Sequence, residues 1–239
     1  MTREVVLLNG WGMTSAAWQS LRSALPSRYR LHAIDLHELE AGRSGSVEDL
    51  AATAAARAPG RCDVIAWSLG AQIALQWAHD RPSQVGCAVL IAGTPCFVAK
   101  RDWPAGMEVT VFEAFAEQVR SDPRGALNRF ALLQARGDAN MTAVARALRA
   151  ALAESRPALA KGLACLRDTD LRGLVPRVKQ PLLLAHGARD AIVPIAAAER
   201  LCGDLPDARL HVYSGAGHAP HLSQPALSAA SIAEFFDEQ

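Results

Sequence analysis

The sequence predicts an α/β protein with a mostly parallel sheet of about six strands, helices on both faces and a helical cap. Short apolar runs alternate with longer segments of helical period, which is typical of a parallel sheet covered by helices. The alternation stops between residues 100 and 161, where the pattern is helical throughout. A chain of 239 residues fits one such domain better than two. We therefore assign residues 1–99 and 162–239 to the core and residues 100–161 to the cap of a single domain.

The candidate elements follow from these apolar patterns. The candidate strands lie at residues 5–8, 30–35, 62–66, 86–92, 181–186 and 210–213. The candidate core helices lie near residues 15–25, 47–58, 69–80, 194–203 and 225–237. Ligands bind parallel sheets beyond the carboxyl ends of the strands. Functional residues are therefore expected in the loops that follow the six strand segments.

The composition excludes several classes of function. The net charge is +1, so no overall basic surface for nucleic acid is expected. No apolar run reaches the length of a membrane span, and the first residues lack the core of a signal peptide. Five scattered cysteines, without Cys-x-x-Cys pairs or histidine clusters, indicate reduced thiols in a cytoplasmic protein. We expect no metal and no cofactor.

Ser68 lies at the junction of a candidate strand and a candidate helix. Its neighbours two positions away are the small residues Ala66 and Gly70. A serine on a tight strand-to-helix turn is the nucleophile elbow of α/β-hydrolases, and these two positions come too close together to accept larger side chains. A serine at the start of a helix is also a common cap. The pattern makes Ser68 the candidate nucleophile, and its status depends on partners elsewhere in the chain.

Asp190 and His218 are the candidate partners, and they follow Ser68 in the order that this fold requires: serine, acid, histidine. His218 lies in a loop rich in glycine and proline after the last strand. Asp190 follows the fifth strand and precedes a helix, where a capping role is the alternative. His221 and Asp35 are the rival base and acid. His221 lies at the loop end, and Asp35 precedes the serine and is expected to shape the loop before residues 42–44.

Two backbone N–H groups are the candidate donors to a developing oxyanion. One belongs to Leu69, the residue after the nucleophile. The other belongs to Trp11, because Gly10 and Gly12 on either side allow its backbone to approach a substrate closely. The alternative is that Trp11 is an ordinary core residue.

The cap carries an uneven charge. Residues 120–161 contain eight basic and three acidic side chains, a net charge of +5, so the rest of the chain carries −4. Such a surface steers an acidic partner. A solvated helix face is the alternative.

The motifs together resemble one superfamily over nearly the whole chain. The chain resembles the α/β-hydrolases and, among them, the biotin-synthesis carboxylesterases. The matching motifs are Leu7-Leu8-Asn9-Gly10-Trp11-Gly12, Gly42-Arg43-Ser44, Trp67-Ser68-Leu69-Gly70, Pro95-Cys96-Phe97 with Trp103-Pro104, Arg129-Phe130-Ala131-Leu132-Leu133-Gln134 and Gly217-His218-Ala219-Pro220.

The resemblance implies a function for each part. Ser68, Asp190 and His218 would form the triad of a carboxylesterase that removes the methyl ester of a pimeloyl chain on acyl-carrier protein. Trp11 and Leu69 would form the oxyanion hole. Residues of the cap would line the acyl channel, namely Phe130, Ala131, Leu132, Leu133 and Gln134. Arginines would dock the acidic carrier, namely Arg124, Arg129, Arg146 and Arg149. A monomer is expected.

The chain departs from that family at several positions. Asn9 stands where the family usually has histidine, and Ala66 and Ala71 replace two glycines at the elbow. The segment 36–41 is longer and more polar than the family's turn, and the N-terminal hairpin is missing. Two other functions stay open: a general short-chain carboxylesterase or a lyase-like or C–C hydrolase of this fold, and a ligand-sensing protein with little turnover. Dehalogenases and epoxide hydrolases are disfavoured because their nucleophile is an aspartate.

Overall fold

The computed structural model describes residues 2–36, 45–153 and 155–239, without the side chain of Arg156. Within these residues six strands form one sheet in the order β2-β1-β3-β4-β5-β6, and every neighbouring pair is parallel. The strands are β1 (Arg3–Leu8), β2 (Tyr29–Ile34), β3 (Cys62–Trp67), β4 (Val85–Ile91), β5 (Leu182–Gly187) and β6 (Ala208–Tyr213). The predicted fold class and all six predicted strands are confirmed, and the pairing is parallel throughout.

Ten helices accompany the sheet in the described part of the chain. Six lie outside the cap segment: α1 (Gln19–Ala24), α2 (Val47–Arg57), α3 (Leu69–Asp80), α8 (Ile195–Asp204), α9 (Pro220–Ser223) and α10 (Pro225–Asp237). Four follow one another between β4 and β5: α4 (Val109–Ser121), α5 (Pro123–Ala135), α6 (Met141–Ala150) and α7 (Arg156–Asp168). Two short 3₁₀ turns cover Ser15–Trp18 and Val175–Arg177.

The burial of the strands explains their sequences. The strands β3 and β5 are buried along their whole length, because helices cover both faces, and their sequences are mostly apolar. The edge strands β2 and β6 are only partly buried and contain charged residues. The strand order places β3 and β4 at the centre of the sheet, and the carboxyl ends of β3 and β5 lead directly to the residues around Ser68 and Asp190.

The helical segment ends later than the sequence analysis predicted. The proposed cap boundary at residue 161 falls inside α7, which continues to Asp168. The helix continues because its apolar spacing does: Leu163 and Leu166 are both buried. The division into core and cap is otherwise kept as a proposal, with the end of the cap moved to the end of α7.

The sequence analysis did not predict the short helix α9, just after His218, because four residues carry too little periodic signal. The motif at residues 42–44 and the polar segment 37–41 lie outside the described residues.

Among the helices that are described, none combines the length and apolarity needed to cross a bilayer.

Candidate active site

Ser68 occupies a strained turn between β3 and α3. Its backbone has φ 56° and ψ −116°, a conformation that side-chain-bearing residues rarely adopt. The Ser68 N–H donates to the Ile91 carbonyl at 2.9 Å, which ties the turn to the end of β4. The serine is partly exposed, whereas Trp67 and Leu69 on either side are buried. The turn thus presents the hydroxyl at the carboxyl edge of the sheet, as expected of a nucleophile elbow.

The small residues around Ser68 are required by close backbone contacts. A Cβ on Gly70 would lie 2.4 Å from the Leu8 carbonyl oxygen and 2.8 Å from that of Asn9. Backbone atoms cannot move aside as a side chain can, so position 70 requires glycine. Ala66 is fully buried in β3. The steric rule therefore holds at both positions, but only position 70 is restricted to glycine.

The structure brings the three predicted triad residues into one hydrogen-bonded series. His218 Nε2 lies 3.0 Å from Ser68 Oγ, and His218 Nδ1 lies 2.7 Å from Asp190 Oδ2. The side chains of His218 and Asp190 are fully buried. The Trp67 indole N–H donates to the His218 carbonyl at 2.9 Å and fixes the histidine backbone. In this arrangement the histidine can take the serine proton while the carboxylate orients the ring.

Asp190 is held as a carboxylate despite complete burial. Burial raises the pKa of Asp190, but its attraction to His218 and the hydrogen bonds it accepts outweigh burial and leave that pKa below its usual value. Its Oδ1 accepts the backbone N–H groups of Ile192 at 2.8 Å and Val193 at 3.0 Å. The loop geometry thus stabilises the charge that would face an imidazolium at His218.

His186 lies beside this carboxylate. Its Nε2 is 3.4 Å from Asp190 Oδ2 and 2.8 Å from the Val193 carbonyl. Burial lowers the pKa of His186, and Asp190 offsets only part of that effect. A neutral His186 can donate one N–H to the Val193 carbonyl and so helps to fix the Asp190 loop.

The rival histidine, His221, has no place in this series. It is fully buried between Trp18 and Trp67, with ring centroids 4.7 Å and 4.8 Å away. Within the part of the chain that the structure describes, neither of its ring nitrogens has a hydrogen-bond partner. Burial lowers the pKa of His221 to about 3, so the ring is neutral at neutral pH. The rival acid, Asp35, receives a hydrogen bond from Ser15 at 3.3 Å and is not part of the series.

The loop after β1 lies directly against the nucleophile. A Cβ on Gly10 would lie 3.2 Å from the Cβ of Ser68. Within the described residues, the backbone N–H groups of Trp11 and Leu69 have no backbone acceptor. Both groups are therefore free to donate to an oxygen that develops negative charge near Ser68.

The Trp11 ring connects this loop to the cap. Its Nε1 donates to the Leu159 carbonyl at 2.9 Å, and its ring packs edge-on against Phe115 and Phe130 at 5.4 Å and 5.2 Å. The ring is only 3% exposed, so the alternative interpretation of Trp11 as a core residue describes its side chain correctly. The proposed oxyanion role concerns its backbone alone, and the two interpretations are compatible.

Asn9 shapes the same loop. Its side-chain amide donates to the carbonyls of Gly10 and Met13 and so closes the turn that carries Trp11. The Gly12 carbonyl accepts the Ala153 N–H at 2.9 Å, which joins the turn to the segment between α6 and α7. Asn9 is fully buried. A buried amide with two carbonyl partners is a structural explanation for asparagine at a position where the related family usually has histidine.

The five predicted acyl-channel residues do not share one environment. Ala131 and Gln134 are fully buried, Phe130 is buried against Trp11, and Leu133 is half-buried. Leu132, by contrast, is 38% exposed. The exposure of Leu132 differs from that of its neighbours because a helix turns about 100° per residue, so five successive residues face different ways, and the lining of the acyl channel stays a prediction.

The four candidate docking arginines are all exposed on the cap. Arg124 on α5 and Arg149 on α6 line one cleft of about 480 Å³, whose apolar lining includes Leu127 and Leu159. A Cβ on Gly12 would lie 2.8 Å from Leu127, so the cleft adjoins the Trp11 loop. Arg129 lies 3.6 Å from Asp122, while Arg146 projects from α6.

The sequence analysis counted Asp138 only as one of the three acidic residues of the cap and did not predict its contact with the segment before His218. Asp138 lies between α5 and α6 and is 7% exposed. Its Oδ2 accepts the N–H of Gly217, the residue before His218, at 2.9 Å. The two residues are 79 positions apart, so nothing in the local sequence indicates this contact.

Comparison with known proteins agrees with the fold. The sequence model of the alpha/beta hydrolase family matches residues 5–230. Two solved structures superpose over most of the chain: a hydrolase from Oleispira antarctica, with a TM-score of 0.86 and 17% identity over 99% of this chain and 92% of that one, and an esterase from Exiguobacterium antarcticum, with a TM-score of 0.83 and 20% identity over 98% and 92%. At these identities the structures establish the fold.

Curated relatives narrow the family. A pimeloyl-[acyl-carrier protein] methyl ester esterase from Nitrosomonas europaea is 40% identical over 93% of this chain and 91% of its own length. The protein of the same name from Aromatoleum aromaticum is 41% identical over 93% of both chains. The chain therefore belongs to the alpha/beta hydrolase family and, within it, to the family of these esterases.

Proposed function

We propose that this chain is a serine carboxylesterase that hydrolyses the methyl ester of pimeloyl-acyl-carrier protein in biotin synthesis. The observation that carries the chemistry is the series Ser68, His218 and Asp190, with contacts of 3.0 Å and 2.7 Å at the carboxyl edge of the sheet. The substrate is supported by relatives of that name at 40% and 41% identity along nearly the whole chain. No metal takes part in the proposed mechanism.

The first half-reaction transfers the acyl group to the enzyme. Ser68 Oγ attacks the ester carbonyl while His218 Nε2 takes its proton, and Asp190 stabilises the imidazolium that forms. The N–H groups of Leu69 and Trp11 donate to the tetrahedral oxyanion. His218 then gives the proton to the methoxy oxygen, and methanol leaves an acyl-enzyme at Ser68.

The second half-reaction releases the acid. A water molecule attacks the acyl carbonyl, and His218 Nε2 accepts its proton as a general base. The oxyanion again faces the two backbone donors. His218 returns the proton to Ser68 Oγ when the intermediate collapses, so the free carboxylate leaves and the serine is regenerated.

The cleft between α5 and α6 supports a route for the carrier-bound chain. Its two arginines, Arg124 and Arg149, suit the phosphate and acidic surface of a carrier, and its apolar lining suits an alkyl chain. The cleft ends near Gly12, next to the proposed oxyanion donor Trp11. An ester at the far end of the chain would thereby reach Ser68 while the carrier stays outside.

The remaining parts of the proposal concern partner and compartment. The exposed arginines of the cap, including Arg129 and Arg146, would dock an acidic carrier protein to a monomeric enzyme. The five cysteines, four of them buried, form no disulfide in the described part of the chain, which is in keeping with a cytoplasmic protein.

The decisive experiment supplies pimeloyl-acyl-carrier protein methyl ester and measures methanol and free carboxylate. We expect turnover by the unaltered chain and none by Ser68→Ala. A chain that hydrolyses p-nitrophenyl butyrate but not the carrier ester would be a general esterase. A chain that turns over neither ester would favour the ligand-sensing alternative. Rescue of a biotin auxotroph that lacks this esterase provides the matching test in cells.

A further inference from the structure

The turn between α5 and α6 lies against the loop that carries the proposed catalytic base. We call residues 136–140 the cap turn and residues 214–219 the histidine loop. The Ala139 N–H donates to the Gly215 carbonyl at 2.9 Å, and the His218 N–H donates to the Gln134 carbonyl at 3.1 Å. The cap turn and the end of α5 therefore make backbone contacts with the histidine loop on either side of Gly217.

Asp138 is the only side chain of the cap turn with a described hydrogen bond to the histidine loop. Its Oδ2 accepts the Gly217 N–H at 2.9 Å. Its Oδ1 accepts the Asn140 N–H at 2.7 Å and the Ser223 hydroxyl at 2.8 Å. Three donors satisfy a buried carboxylate, which explains how an acid is tolerated there. The carboxylate links the cap turn, the histidine loop and the end of α9.

The histidine loop is short and glycine-rich, yet it must hold His218 in a defined position. Gly215, Ala216 and Gly217 precede His218, and this short, glycine-rich segment has little rigidity of its own. A Cβ on Gly217 would lie 3.0 Å from the Gln134 carbonyl oxygen, so the loop passes very close to the cap. His218 must hold contacts of 3.0 Å and 2.7 Å at the same time. A small displacement of its backbone would lengthen one of them.

The cap turn also touches the loop of the proposed acid. Gly137 has φ +82°, and a Cβ there would lie 2.9 Å from the Arg189 carbonyl oxygen. The Arg189 guanidinium in turn donates to the Gly137 carbonyl at 3.3 Å. Arg189 directly precedes Asp190. The cap turn is therefore in contact with the loops of both His218 and Asp190.

We propose that Asp138 is a positioning residue for the hydrolytic reaction: through Gly217 it holds the histidine loop so that His218 reaches Ser68 and Asp190 together. The proposal rests on the triad part of the proposed function and not on its substrate. Asp138 touches neither substrate nor the reacting atoms. Its removal is expected to lower the rate of the chemical step and to leave ester binding unchanged.

The test measures the hydrolysis of p-nitrophenyl butyrate by Asp138→Asn and by Asp122→Asn. An organophosphate that reacts with the active-site serine counts the active sites in each preparation. The new amide keeps one acceptor oxygen and cannot satisfy both sets of donors of Asp138. We expect kcat to fall about 10- to 100-fold with KM unchanged, as for a misplaced catalytic group. Asp122→Asn removes the same charge from the exposed start of α5 and is expected to keep kcat. An unchanged kcat for Asp138→Asn, or an equal loss in both variants, overturns the proposal.

Two further measurements separate positioning from general stability. Ser223→Ala removes one donor to Oδ1 and leaves the Gly217 contact, so kcat should be retained, and a loss equal to that of Asp138→Asn contradicts the proposal. Amide hydrogen exchange of the histidine loop should be faster in Asp138→Asn than in the unaltered chain, and equal exchange refutes the loop contact. The exchange measurement decides the loop contact even if the chain hydrolyses no ester, an outcome that would reject the proposed function instead. Failure with the carrier ester alone rejects only the substrate.

Discussion

Gly70 lies so close to Leu8 that a Cβ at position 70 would fall 2.4 Å from the Leu8 carbonyl oxygen. The contact joins the start of α3 to the end of β1, and it sets how far the elbow projects from the sheet. Gly70→Ala is expected to destabilise the fold by about 2 kcal/mol, because backbone atoms must shift to admit the methyl group. Ester hydrolysis should fall as well, since Ser68 moves with the turn.

Thermal and denaturant unfolding of Gly70→Ala check this expectation. Gly60→Ala is the matched control, because a Cβ there meets nothing within 4 Å. Equal stability of the two variants would show that the elbow tolerates a larger residue and would remove the steric explanation for Gly70.

The strained backbone of Ser68 predicts that glycine at this position raises the stability of the fold and abolishes activity. Ser68→Gly relieves a conformation with φ 56° that favours glycine, and it is expected to stabilise the fold by about 1 kcal/mol relative to Ser68→Ala. Both variants should lose ester hydrolysis by on the order of 10⁵-fold. Unfolding curves and p-nitrophenyl butyrate turnover measure the two effects. Near-normal turnover by Ser68→Ala would reject the assignment of Ser68 as nucleophile.

Reversing the charges of the two cleft arginines is predicted to lower hydrolysis of the carrier ester but not of a small ester. The double variant Arg124→Glu, Arg149→Glu places like charges before an acidic carrier, so kcat/KM for the carrier ester should fall roughly tenfold or more at low salt. Hydrolysis of p-nitrophenyl butyrate, which needs no docking, should stay the same. Arg22→Glu on α1 shows the effect of reversing one exposed charge outside the cap. Unaffected turnover of the carrier ester would contradict carrier docking at this cleft.

His221 predicts part of the pH dependence of stability. Its pKa is lowered from 6.5 to about 3 by burial, so between these values the unfolded chain binds a proton that the folded chain does not. Stability therefore falls as pH falls through this window, by about 2 kcal/mol from His221 between pH 7 and pH 5.

His221→Phe should remove that contribution and should fold as well as the original chain at pH 7, because neither ring nitrogen of His221 has a hydrogen-bond partner among the described residues. Denaturant unfolding at both pH values measures the slope. A variant that keeps the full slope would assign it to other groups, among them the buried His186.

The order of strands and helices could be predicted because each element carries its own periodic pattern. The mostly apolar runs of β3 and β5 reflect burial, which the structure shows for every residue of the two strands. The end of the cap was misplaced because helix boundaries depend on tertiary burial, here of Leu163 and Leu166. Leu132, one of the predicted channel residues, is partly exposed because successive residues of a helix point in different directions.

The sequence by itself determined the fold class, the strand-turn-helix around Ser68 and the choice of His218 and Asp190. These features are local: an apolar run, a small residue at a tight turn and a loop after a strand. Only the tertiary structure decided that His218 Nε2 lies 3.0 Å from a serine 150 residues away, that His221 is buried between two tryptophans and that Asp138 accepts the Gly217 N–H. Such contacts join segments far apart in the chain. Their geometry is set by the packing of the cap on the sheet, which no single segment encodes.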